Sequence, residues 1–188
     1  MKKSILMMMV LMAYLLYGCV GQGQNDRKEQ QIYVDSVLAQ YKLQDSLKLI
    51  QDSLELKTFK NSIKIIKYYT SKPNSAGGVD CNVIWKNLSK KTVKYAKFTV
   101  IPYNAVNDFV KGKHDYGDGS HILGVTGPIK PNQTYGHEHH WECIWYNSTI
   151  DYMKIFGIEI EYTDGSKIST SNIDIIKKLG YVRPPNKF

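Results

Sequence analysis

The chain has 188 residues, 43% of them hydrophobic, with 25 Lys and Arg against 17 Asp and Glu and a formal net charge of +8. This length suits one domain with an appendage rather than several domains. The basic residues are scattered, without a block of five or six, so the charge argues against nucleic acid as a partner.

Residues 1–18 have the plan of an export signal. Lys2 and Lys3 are followed by an uncharged apolar run of 13 residues, 5–17. Such a run is too short for a transmembrane helix, which needs about 20 residues, and it suits the apolar region of a signal peptide. We therefore predict a signal peptide over residues 1–18.

Gly18 before Cys19 resembles the lipobox that lipoprotein-processing enzymes recognise, although Tyr17 stands where a smaller residue is usual. This resemblance implies lipidation of Cys19 and an extracytoplasmic protein that is lipid-anchored to a membrane of the bacterial cell envelope. The alternative is an ordinary secretory signal or an uncleaved anchor.

A flexible tether is predicted over 19–26 and a long helix over 27–60, a segment without Pro or Gly. Spacings of 4, 3 and 4 place four apolar residues on one stripe of this helix: Leu43, Leu47, Ile50 and Leu54. The stripe needs a partner. That partner is either a second copy in a coiled coil or the chain's own globular domain.

Residues 62–170 are predicted to be mainly β. Short alternating or apolar runs between turn signals indicate six or seven strands, over 63–70, 79–86, 93–103, 122–125, 135–146, 154–162 and 167–170. This spacing predicts a small antiparallel β-sandwich, because no βαβ alternation occurs. Turns are predicted at 127–132 and at Asp164-Gly165, and a short helix with a C-terminal tail over 171–188.

Three segments resemble the immunoglobulin-like domains of bacterial surface lipoproteins of the FxLYD-type group: VIWKNLS at 83–89, KYAKFTV at 94–100 and GPIKP at 127–131. The resemblance covers about residues 78–163. It implies an immunoglobulin-like fold and carries over no catalytic residues.

His137 and His139 are two residues apart on a predicted strand, so both side chains are expected on one face, where they could bind Zn²⁺ or Cu²⁺. A complete site needs further ligands, for which the candidates are His114, Asp115, Asp118 and His121. The alternative is a pair of exposed strand histidines without a metal. No cofactor is expected.

Cys81 and Cys143 are both predicted to point inward, from different strands. If those strands face each other across the sandwich, a disulfide would close a loop of about 62 residues and stabilise the fold by roughly 4 kcal/mol. The alternative is a pair of separate buried thiols that pack as small hydrophobic residues.

The sequence lacks the G-x-S-x-G, P-loop, G-x-G-x-x-G and S-x-x-K motifs, so we do not expect an enzyme. We expect a non-enzymatic interaction or structural module that binds another envelope protein or polymer. A homo-oligomer formed through the helix is one of the two alternatives given above for its apolar stripe. The long loop 109–126 is the predicted contact region, through Phe109, His114, Tyr116 and His121. The alternatives are a lipoprotein that binds a metal or glycan and, third, an envelope hydrolase.

Overall fold

The computed structural model describes residues 24–111 and 119–180, with side chains from residue 29 onwards. Several predictions therefore fall outside the described residues: the signal peptide 1–18, the lipidation of Cys19, the roles of His114, Asp115, Tyr116 and Asp118, and the tail after residue 180. The chain divides into two compact units, Met1–Ile50 and Gln51–Phe188.

The N-terminal helix, α1, spans Gln24–Lys60 and so begins three residues before the predicted start at residue 27. Its length follows from the absence of Pro and Gly, which would interrupt or weaken the helical hydrogen bonds. Lys57 and Lys60 occupy the last turn, where positive charge interacts favourably with the helix dipole. The predicted long helix is confirmed.

Eight strands follow within the described residues. In chain order they are β1 (Ile63–Thr70), β2 (Gly78–Asn87), β3 (Val93–Tyr103), β4 (His121–Ile129), β5 (Thr134–Tyr135), β6 (Trp141–Tyr146), β7 (Tyr152–Tyr162) and β8 (Lys167–Thr170). In one sheet β2 pairs with β1, β5 and β6, and the other sheet has the order β4-β3-β7-β8. All these pairs are antiparallel. This strand order is that of an immunoglobulin-like sandwich, so the predicted fold class is confirmed.

The turn after β4 begins later than the predicted range 127–132. β4 continues to Ile129, which lies opposite Val93 of β3 in the ladder. The turn follows, with Asn132 in the left-handed region at φ 63°. Pro128 misled the prediction because proline usually ends strand pairing, but β4 is an edge strand, where the missing N–H group is tolerated.

The strand predicted over 135–146 is interrupted between β5 and β6. Gly136 lies there at φ 101°, and a Cβ at this position would overlap the carbonyl oxygen of Val83. The buried Asn82 side chain donates to the carbonyl oxygens of Gly136 and His139, at 3.0 and 2.8 Å. A side chain thus satisfies backbone acceptors that a neighbouring strand would otherwise bind, so the chain can leave the sheet.

The core lies between the two sheets and includes Phe59 from the last turn of α1, which is 1% exposed. Trp85 and Trp145 are fully buried. Trp141 is only half-buried, and its Nε1 donates to the carbonyl oxygen of Gly124 on β4 at 3.2 Å. Since β6 and β4 belong to different sheets, this hydrogen bond joins the sheets at their open edge.

The C-terminal helix, α2, spans Ile173–Lys177. Asn172 caps it by accepting a hydrogen bond from the backbone N–H of Asp174 at 3.1 Å. After the helix, the carbonyl oxygen of Leu179 accepts from the backbone N–H of Ile65 at 3.0 Å. The chain after α2 therefore lies against the outer edge of β1.

Candidate functional site

Helix α1 carries nine of the seventeen large hydrophobic side chains that are exposed in the described chain. The predicted stripe is among them: Leu43 is 61%, Leu47 56%, Ile50 57% and Leu54 61% exposed. The stripe is an apolar surface exposed to solvent.

The part of this stripe in the first unit is bordered by uncharged polar side chains. At 100° per residue, Gln40 and Gln44 lie on one side of Leu43, Leu47 and Ile50. Ser46 lies on the other side, and Ser46 Oγ donates to the carbonyl oxygen of Lys42 at 2.8 Å. Lys42 lies about 100° from Leu43, as far as Gln44 does on the other side, and Asp45 and Lys48 lie farther round the helix. The positions directly beside the stripe, Gln40 and Ser46, are therefore neutral.

The predicted contact loop is only partly described. Phe109 is 40% exposed, and its ring meets the Tyr103 ring edge-on at 6.4 Å. His121 lies at the start of β4 rather than in a loop, and its ring is perpendicular to that of Trp145 at 5.6 Å. His121 thus packs beside a buried core residue instead of extending from a loop as predicted.

Side chains from β6 and the turn after it hold both ends of the undescribed part of this loop. Asn147 Nδ2 donates to the carbonyl oxygen of Lys111 at 2.7 Å. Trp145 Nε1 donates to the carbonyl oxygen of Gly119 at 3.4 Å. Residues 111 and 119 are therefore both attached to the sandwich.

An aromatic and cationic cluster occupies this end of the sandwich. The rings of Tyr103 and Tyr152 stack at 5.4 Å with 18° between their planes, and Lys154 Nζ lies 4.0 Å from the centre of the Tyr103 ring. The Tyr152 hydroxyl donates to Asn107 Oδ1 at 2.6 Å, which orients the Tyr152 ring. The sequence did not indicate Tyr152 or Asn107, because their contact depends on the bend of the loop after β3, where Asn107 has φ 68°.

The two histidines of the predicted metal site do not lie on a strand. His137 is exposed in the bend between β5 and β6, so the strand geometry from which a shared face was predicted is wrong. The ring of His139 lies between Tyr135 at 5.4 Å and Trp141 at 4.9 Å. Among residues 24–111 and 119–180, no group of three or more His, Cys, Asp or Glu side chains is placed to hold a metal ion.

Cys81 and Cys143 are both free thiols. They lie on β2 and β6, which are neighbours in one sheet, so the condition for a disulfide across the sandwich is not met and the alternative of two separate thiols holds. Cys81 is 1% exposed and faces the core. Cys143 is only half-buried because β6 bulges opposite Asp80: Cys143 has φ 48°, and its N–H donates to Asp80 Oδ1 at 2.8 Å. The predicted inward orientation is therefore confirmed for Cys81 and wrong for Cys143.

Asn87 is a structural residue whose role the strand pattern did not indicate. It is fully buried, and its Nδ2 lies within 3.2 Å of the carbonyl oxygens of Lys91, Ile129 and Lys130. Its Oδ1 accepts from the N–H and the hydroxyl of Ser89. Asn87 thus joins the turn after β2 to the turn after β4. It belongs to VIWKNLS at 83–89, one of the three segments that resemble the FxLYD-type domains.

No family model, curated protein or solved structure matches the chain. The resemblance to the FxLYD-type lipoprotein domains accordingly stays a prediction. Within the described residues, none of the helices combines the length and apolar character needed to cross a membrane.

Proposed function

We propose that the protein is a lipid-anchored, non-enzymatic interaction module of the bacterial cell envelope. In this proposal helix α1 binds a second copy of the chain, while the sandwich meets another envelope protein or polymer. The observation that carries the proposal is the apolar stripe of α1, of which Leu43, Leu47 and Ile50 are each more than half exposed. Contiguous apolar surface of this kind usually marks an interaction site.

A second copy fits this stripe because of the side chains that border it. In a parallel helix pair, the residues beside the apolar seam of one helix face those beside the seam of the other. Identical charges there would repel each other, whereas Gln40, Gln44 and Ser46 are neutral. An anchor at Cys19 favours the same arrangement, since it places both N-termini at one membrane surface and raises the local concentration.

The proposal is tested in bacteria that express the full chain, by chemical crosslinking in intact cells. Leu47→Glu places a charge in the seam and is expected to reduce the crosslinked dimer at least tenfold. Lys48→Glu changes an exposed residue away from the stripe and is the matched control, expected to crosslink as the unchanged chain does. A monomer at every crosslinker concentration, or equal crosslinking of both variants, contradicts self-association through α1.

Mass spectrometry of the same membrane fraction tests the anchor independently. The expected N-terminal peptide begins at Cys19 and carries the mass of fatty acyl groups. An intact Met1, or a residue 19 without acyl groups, contradicts the lipoprotein assignment. The crosslinking experiment would still test self-association through α1.

A further inference from the structure

The sandwich has a gap beside the first half of β7. β8 pairs with β7 only from Ile158 to Glu161. In the described part of the chain, no strand pairs with the earlier residues of β7 on that side. α2 packs there instead, and a helix cannot fill the space beside a strand edge as a further strand would.

A cavity of about 240 Å³ lies in this gap, between β7, β1 and α2. Four of its buried lining residues are aliphatic or thioether side chains: Met153 is 1%, Ile65 2%, Ile155 4% and Ile176 8% exposed. Tyr68 and Phe156 add aromatic surface. The interior of the cavity therefore suits an apolar group.

The charge at the cavity is positive. Lys154 and Lys177 are its only charged lining residues, so no carboxylate of the described chain lines it. Both lysines are exposed, unlike Ile65, Met153 and Ile176, and so lie where the cavity meets solvent. Lys177 Nζ is 3.6 Å from Asp174 Oδ1, but this pair is exposed and a surface ion pair of this type is weak.

The cavity is large enough for a single alkyl chain. It exceeds the roughly 150 Å³ of an apolar cavity that binds benzene, and it is smaller than the roughly 300–1,000 Å³ of sites for drug-sized ligands. A phospholipid with two acyl chains is too large for this space. The ligand that fits has one apolar chain and an anionic end.

We propose that this cavity binds a medium-chain fatty acid as its carboxylate, with the alkyl chain against Ile65, Met153 and Ile176 and the carboxylate at Lys154 and Lys177. Lys154 Nζ lies 4.0 Å from the centre of the Tyr103 ring, on the β3 side of β7, so binding of the carboxylate requires the flexible Lys154 side chain to turn toward the cavity. The proposal is independent of α1, because all these residues belong to the second unit.

The test adds sodium decanoate, below its micelle concentration, to the full-length chain. The chain carries Cys19→Ser, so that no acyl group attached to the protein competes with decanoate for the cavity. The ¹³C-methyl NMR signal of Met153 reports the cavity itself. The expected result is a saturable shift of this signal with one decanoate bound per chain. A Met153 signal that does not move up to the micelle concentration overturns the proposal.

Two sets of variants separate the contribution of the alkyl chain to binding from that of the carboxylate. Ile173→Trp, which fills the cavity from the partly exposed edge of α2, is expected to abolish binding, whereas Ile122→Trp on β4 is the matched control and is expected to bind normally. Lys154→Glu with Lys177→Glu is expected to weaken decanoate binding at least tenfold and to change decanol binding less than twofold. Equal binding of decanoate by the lysine variant, or by Ile173→Trp, overturns the proposal.

Discussion

Cys81 and Cys143 have the same side chain but very different surroundings. Burial, with a smaller contribution from Asp80, raises the pKa of Cys81 far above its ordinary value. Cys143 lies at the bulge of β6, where its hydrogen bond raises the pKa of the exposed Tyr146 hydroxyl. Because a thiol reacts as its thiolate, burial and a raised pKa make Cys81 inert in the folded protein.

Titration with a chromogenic thiol reagent is expected to detect this difference. In the chain with Cys19→Ser, we expect one fast-reacting thiol in the native protein and two after denaturation, since Cys143 is half-buried and Cys81 is fully buried. Cys143→Ser should remove the fast reaction, and Cys81→Ser should leave it unchanged. No reactive thiol in the denatured, unreduced protein would mean that the two cysteines are bridged.

At the scale of elements, the β7–β8 hairpin shows how a local sequence signal and a distant contact combine. Asp164-Gly165 predicted the turn, and Gly165 has φ 82° as such a turn requires. Lys91, on the turn before β3, donates to the Asp164 carboxylate at 2.7 Å. Hydrogen bonds from Lys91 and then Ser166 lower the pKa of Asp164.

This hairpin is expected to make stability pH-dependent. A carboxyl group whose pKa is lower in the folded state stabilises the fold above its unfolded pKa, about 3.9, and loses that contribution as the pH falls through its folded pKa. Asp164→Asn should therefore lower the thermal midpoint at pH 7 and have a smaller effect at pH 2.5. The control Asp174→Asn removes an exposed carboxylate from α2. An equal effect of Asp164→Asn at both pH values would contradict the role of the charge.

The β-strands were largely predictable because alternation along a half-buried strand is a local property. β1, β3 and β8 have the predicted bounds. The division of the 135–146 segment was not predictable, because it depends on Asn82, a residue more than fifty positions earlier that satisfies the backbone of Gly136 and His139. The bulge at Cys143 likewise depends on Asp80 in the neighbouring strand.

At the scale of the whole molecule, the buried core belongs to one of the two units. All its residues, from Phe59 onwards, lie in Gln51–Phe188. The exposed stripe residues Leu43, Leu47 and Ile50 lie in Met1–Ile50. Apolar side chains of α1 therefore fall into two groups, one that stabilises the fold and one that remains available for a partner.

Two substitutions in the same helix are expected to separate these groups. Phe59→Ala removes a ring that is 1% exposed and should lower the free energy of unfolding by about 3–5 kcal/mol. Leu47→Ala removes a side chain that is 56% exposed and should change it by about 0.5 kcal/mol or less in dilute protein. Urea unfolding followed by the fluorescence of the buried Trp85 and Trp145 measures both. Equal effects would contradict the division of the helix.

The helix, the sandwich class and the hairpin at Asp164-Gly165 follow from residues close together in the chain, because periodicity and turn chemistry act over a few positions. Which strands are neighbours, by contrast, depends on packing between distant segments. That packing put Cys81 and Cys143 in one sheet, moved His137 off a strand and brought Lys154 and Lys177 to one cavity. Each of these outcomes depends on a contact between residues more than twenty positions apart. A local sequence pattern does not specify such a contact.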